Sequence, residues 1–143
     1  MISLEGKNLT AGYGGVDIIK NINLQVKQGE IAVIVGPNGA GKSTAMKALL
    51  GMLKLSDGSV KFAQDDITSM LPQDRVNLGI AFVPQTQNVF TGMSVEENLE
   101  MGGFIRDDNI SLTIEDIYNL FPILKEKRNQ NAGELSGGQR QQV

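Results

Sequence analysis

The 143-residue sequence contains no cysteine, no histidine and no tryptophan, and aromatic residues make up only 5% of it. Without cysteine there is neither a disulfide framework nor a thiolate metal site, which fits a reducing compartment. No apolar run approaches the roughly 20 residues that cross a bilayer. Met1 leads directly into alternating polar and apolar residues, so neither a signal peptide nor a membrane-spanning helix is expected. A basic excess is missing too: thirteen Lys and Arg stand against sixteen Asp and Glu, a net charge of -3. That balance offers no electropositive field to nucleic acid or to an anionic membrane as a direct partner. What remains is ordinary for a soluble folded domain, with 41% hydrophobic and 20% charged residues in a chain long enough to bury a core.

Against that background one stretch stands out. Gly36-Pro37-Asn38-Gly39-Ala40-Gly41-Lys42-Ser43 matches the phosphate-binding pattern G-x-x-x-x-G-K-[ST] in full. The five apolar residues Ile31 to Val35 predict a short buried strand running into Gly36. From Ser43 the period changes, because Met46, Leu49, Leu50 and Leu53 fall at i, i+3, i+4 and i+7 of a helix. Strand, glycine turn and helix are the setting this loop requires. Gly36, Gly39 and Gly41 let backbone N–H groups converge at a helix start that carries a partial positive charge. Lys42 is placed to reach the outer phosphates of a triphosphate, and the Ser43 hydroxyl to ligate Mg2+.

The remaining elements follow from local pattern. Ile2, Leu4, Leu9 and Ala11 predict a strand interrupted near Gly6; Ile22, Leu24 and Val26 predict a second, and both read as half-buried and antiparallel. Ser56 to Ser59 reads as a turn before a short strand at Val60 and Phe62. Pro72 opens a helix to about Leu78, and 79–84 reads as a second buried strand with Gln85 at its tip. Ser94-Val95-Glu96-Glu97 is a capping box, and Ile114, Ile117, Tyr118 and Phe121 form an apolar helical stripe halted by Pro122. A subdomain boundary is placed near Gln85, where strands give way to helices. The carboxylate runs Asp65-Asp66, Asp107-Asp108 and Glu115-Asp116 follow no buried strand and read as solvated faces.

Leu135-Ser136-Gly137-Gly138-Gln139 is a second signal: Ser136 and Gln139 make a capping box, while serine and two glycines at a helix start also suit an anion. Gly36–Ser43 together with this segment resembles the Walker A loop and signature motif of the ATP-binding cassette (ABC) family. The resemblance takes in the whole chain. It implies an α/β fold of the P-loop NTPase class, with an N-terminal antiparallel β subdomain, a partial RecA-like core and the start of a helical subdomain. In those terms residues 1–85 hold the β subdomain and an incomplete P-loop core, and 86–143 hold the Q-loop and the helical subdomain up to the signature.

The resemblance also implies roles. ATP with Mg2+ is the cofactor, bound by Tyr13, Gly36, Asn38, Gly39, Ala40, Gly41, Lys42, Ser43 and Thr44. Ser136, Gly137, Gly138 and Gln139 would close over the γ-phosphate held by a second cassette docked head to tail. Tyr13 matches the aromatic residue that stacks on adenine, an interaction open to any purine. Lys42 and Gln85 carry the catalytic roles, with Ser43 and Gln85 as metal ligands. Further implied partners are transmembrane permease subunits and a substrate-binding protein, with no nucleic acid and with a cytoplasmic placement on the inner face of the membrane. Thr86 to Gly92 resembles the face that receives a membrane subunit; a solvent loop remains the alternative. The phrases at 78–84, 94–99 and 120–128 resemble branched-chain amino acid importers, although many of those carry glutamate where Gln85 stands.

Hydrolysis in this family also uses a Walker B aspartate, a neighbouring glutamate and a switch histidine, and none of these is present. The chain therefore reads as the first half or more of a cassette, expected by itself to be marginal and aggregation-prone, with weak or no nucleotide binding and no ATP hydrolysis, and with an apolar edge beside the phosphate-loop strand. Two other readings stand beside the transporter: a soluble ABC protein acting on ribosomes or DNA, and a cassette that only binds nucleotide. The interval between the two motifs is short and without sustained heptads, unlike that of DNA-repair cassettes.

Overall fold

A computed structural model describes residues 2–143. They form two compact units, 2–81 and 82–143.

The first unit is built on an antiparallel sheet in the spatial order β2-β1-β3-β4, where β1 is Ile2–Tyr13, β2 Val16–Lys27, β3 Leu55–Phe62 and β4 Asp65–Asp66. Gly14 and Gly15, at φ 58° and 81°, make a two-residue turn that pairs Tyr13 with Val16. Positive φ at both central positions is what a tight right-twisted hairpin demands. The predicted break near Gly6 is a bulge within one continuous strand: the register shifts between Gly6 and Leu9, and Asn8 adopts φ 52°. Leu9, Ala11, Ile19 and Val60 are buried on one face of the sheet. Helix α1, Lys42–Leu49, packs Ala45, Ala48 and Leu49 against them.

Three expectations are corrected here. The buried face of α1 is Thr44, Ala45, Ala48 and Leu49, whereas Met46 is 43% exposed and the helix stops at Leu49 instead of continuing to Leu53. The stop is a Schellman motif: Met52 N–H donates to Lys47 and Gly51 N–H to Ala48, with Gly51 at φ 72°. Ser56 to Ser59 is not a turn but part of β3. Gly58 sits at φ 97°, where a Cβ would lie 2.5 Å from the Asn8 carbonyl oxygen, so glycine marks a close approach of two backbones. Lastly, Ile31–Val35 and 79–84 are irregular segments, not strands. A strand exists only by hydrogen bonding to another, and among the described residues neither segment has one. Ile31, Val33 and Val35 are accordingly 93%, 76% and 84% exposed.

Helix α2, Pro72–Asn77, begins at proline as predicted and contributes the buried Arg75, 1% exposed. Its guanidinium donates to the carbonyls of Leu49 (2.6 Å), Ile67 (2.6 Å), Thr68 (3.2 Å) and Met70 (3.1 Å). Burial lowers the Arg75 pKa, yet the group remains a cation set against the C-terminal end of α1.

The second unit contains α3 Val95–Gly102, α4 Ser111–Leu120, α5 Pro122–Glu126, a 3-10 turn Ala132–Glu134 and α6 Gly137–Gln142. Its core is Val95, Leu99, Tyr118, Leu124, Ala132 and Leu135. Both capping boxes form as the sequence predicts: Ser94 with Glu97 at α3, and Ser136 with Gln139 at α6. Pro122 ends the α4 stripe and opens α5.

Candidate functional site

The phosphate loop occupies the turn between the irregular 31–35 segment and α1. Gly39 and Gly41 hold φ 84° and 86°, in the left-handed region where only glycine is unstrained. A Cβ on Gly41 would meet the Ile19 side chain at 2.7 Å, so this glycine also lets the loop settle on β2. The loop closes on itself, with Ala40 N–H donating to Pro37 at 3.3 Å and Ala45 N–H to Gly41 at 2.8 Å. No side chain caps the N-terminus of α1. Its first N–H groups, which lack intrahelical partners, are therefore uncommitted to any side chain.

Lys42 Nζ curls back over the loop and donates to the carbonyls of Gly36 and Pro37, both at 2.8 Å. The ammonium is thus held at the centre of a glycine cradle beside a helix N-terminus, a donor set that suits a polyphosphate. Asn38, Ala40 and Ser43 are exposed along the loop, and Thr44 is buried under the start of α1. The Ser43 hydroxyl, next to that lysine, is a hard oxygen of the type Mg2+ takes. Tyr13, at the end of β1, is 49% exposed, and Lys47 Nζ of α1 lies 6.0 Å from its ring centroid. The first unit therefore brings the aromatic ring, the loop and the lysine to α1.

Gln85 and the signature segment belong to the second unit. Gln85 is exposed in an irregular stretch, and its carbonyl accepts from Gln141 Nε2 at 3.2 Å. Ser136 Oγ accepts from Gln139 N–H at 3.3 Å, and Gln139 Oε1 accepts from Ser136 N–H at 3.2 Å. Gly137 and Gly138 are exposed, with open space where a Cβ would stand. Their backbone is bare to an approaching group.

The ABC transporter family profile matches residues 19–143. The chain belongs to the ABC transporter family. It is 39% identical over 136 residues to a probable branched-chain amino acid transport ATP-binding protein, LivF, of Archaeoglobus fulgidus, covering 94% of this chain and 58% of that protein. It is 37% identical to the high-affinity branched-chain amino acid transport ATP-binding protein BraG of Pseudomonas aeruginosa, covering 92% and 57%. Among solved structures, the ADP conformation of MJ1267, an ATP-binding cassette of an ABC transporter, superposes with TM-score 0.79 at 30% identity over 98% of this chain and 61% of that one. The P-loop cassette fold expected from the two motifs is thereby shown. The ABC chain spans somewhat under three fifths of the curated relatives' length.

Several residues that organise the ABC chain escaped the sequence reading. Arg75 carries no local signal of burial, and its place against the carbonyls of Leu49, Ile67, Thr68 and Met70 is seen only in the fold. Asn98, 8% exposed, joins the Phe90 N–H at 2.7 Å and the carbonyls of Phe90, Met93 and Ser94, fixing the loop before α3. Nothing in its neighbourhood announces that role.

Proposed function

We propose that this chain carries the nucleotide-binding part of an ABC transporter ATPase. The observation that carries the reading is Lys42 Nζ, held over Gly36 and Pro37 at the start of α1. Lys42 and the loop N–H groups of Gly39 and Gly41 bind the phosphates, Asn38, Ala40 and Thr44 line the same cradle, and Tyr13 stacks on the base. Ser43 and Gln85 hold Mg2+, which when bound neutralises charge on the β- and γ-phosphates. Ser136, Gly137, Gly138 and Gln139 meet the triphosphate of a second cassette docked head to tail, and their bare backbone supports this. Residues 1–85 then serve as the nucleotide-holding subdomain and 86–143 as the Q-loop and helical subdomain.

ATP binding closes such a dimer, hydrolysis reopens it, and permease subunits convert the motion into transport. Two relatives named for branched-chain amino acid transport support uptake of branched-chain or related amino acids, with a substrate-binding protein as the delivering partner. Working beneath a permease places the subunit on the cytoplasmic face of the membrane, and no helix among the described residues is long and apolar enough to cross a bilayer. The test is uptake of labelled leucine by cells carrying the gene with Lys42→Ala, alongside binding of a fluorescent ATP analogue. The expected result is loss of both, at least tenfold for the analogue, since charge-assisted bonds to phosphate are lost. Unchanged analogue binding would overturn the site; lost binding with leucine uptake intact would overturn the substrate.

A further inference from the structure

Three side-chain hydrogen bonds tie the stretch around Gln85 to helix α6. Gln141 Nε2 donates to the carbonyl of Pro84 at 3.1 Å and to that of Gln85 at 3.2 Å. Asn88 Nδ2 donates to the carbonyl of Arg140 at 2.7 Å. The stretch 79–88 has no strand or helix of its own to hold it, and Gln87 sits at φ 56°, which bends the chain away directly after Gln85. The carbonyls of Pro84 and Gln85 are therefore positioned by the Gln141 side chain. Gln141 grips Gln85 by the main chain, and among the described residues no hydrogen bond engages the Gln85 side-chain amide.

We infer that Gln141 is the positioning residue for Gln85 and that, with Asn88, it makes residues 84–88 and α6 move as one piece. The inference rests on the nucleotide reading above for its meaning: the residue that senses the metal and phosphate of one site would be strapped to the helix whose N-terminal Ser136 serves the other. Gln141 suits the task because a carboxamide nitrogen carries two protons, one for each carbonyl. Glutamate in its place keeps the shape but offers no donor and sets a negative charge against two carbonyl oxygens. Arginine restores donors.

Two measurements on the full chain test this. The first is amide hydrogen exchange without nucleotide. Gln141→Glu is expected to speed exchange in both 82–92 and 136–143 by about five- to tenfold, the loss of roughly one net hydrogen bond or slightly more. Gln141→Arg is expected to stay within twofold of the parent. Acceleration confined to one segment, or the same acceleration in the Arg variant, would overturn the strap. The second is the enhancement of ATP-analogue affinity by Mg2+. Gln141→Glu should reduce it, Gln85→Ala should reduce it at least as far, and the double variant should lose nothing more. Additive losses would overturn the positioning role. A parent chain whose weak analogue binding gains nothing from Mg2+ would count against the nucleotide reading alone, while exchange still decides the strap.

Discussion

Replacing Arg75 with methionine tests whether a buried cation organises the first unit. The guanidinium is 1% exposed and donates to four backbone carbonyls. Two of those bonds, to Leu49 and Ile67, are 2.6 Å long and fully buried. A hydrogen bond from a charged donor is worth about 1.5–3 kcal/mol net, and an orphaned buried carbonyl costs about 1–3 kcal/mol. Methionine fills much of the volume and removes the cost of burying a charge, which the lowered Arg75 pKa makes visible. The balance is a destabilisation of about 3 kcal/mol. For a unit of about 80 residues, that corresponds to a fall in melting temperature of about 12–24 °C. Circular dichroism melts, with peptide-level hydrogen exchange separating 42–62 from 95–120, are the assay. Gly51→Ala is the companion variant, since its Cβ would stand 2.7 Å from Arg75 Nε at φ 72°. Both variants melting within about 2 °C of the parent would refute the argument.

Two further outcomes follow from the helical unit. The Glu97 carboxylate accepts from Ser94 N–H at 2.7 Å, and that bond, with the Ser94 side chain, holds its pKa below the usual 4.5. A depressed carboxylate stabilises above its unfolded pKa, so this contribution is present at neutral pH and fades as pH falls below about 4.5. Glu97→Gln should flatten that acid limb in a pH series of melts, whereas Gln139→Glu at the uncharged α6 box should introduce one. Asn98→Ala strips four hydrogen bonds from the 90–94 loop. A loss of about 2 kcal/mol is expected from buried backbone groups left unpaired, with exchange rising first in 88–94; uniform protection there would contradict it.

Local chemistry was legible in the sequence wherever a few consecutive residues decide the outcome. Both capping boxes, the Pro72 start and the glycine loop need only neighbours within a turn. Ile31–Val35 misled because an apolar run reports that a segment suits burial, not that a partner strand lies beside it. Ser56–Ser59 misled for the opposite reason: turn-forming residues sit in β3 because Asn8 of β1 bulges against Gly58. Arg75, Asn98 and Gln141 share one property. Each satisfies backbone groups made irregular by tertiary structure, and residue type alone says nothing about such groups. For the candidate site, the motifs located the loop and the signature segment, while the Lys42 geometry and the Gln141 grip needed coordinates.

The sheet order has a consequence for the chain during its synthesis. β1 is an interior strand whose two neighbours come from very different points: β2 follows at once through Gly14-Gly15, but β3 ends only at Phe62. A hairpin closes in about 1–10 μs. A ribosome adds about 5–20 residues per second, so the stretch from Lys27 to Phe62 takes roughly two to seven seconds to appear. Throughout that interval the second edge of β1 offers its unpaired N–H and C=O groups to any passing strand. The nascent hairpin is thus a stage with an open strand edge until β3 arrives.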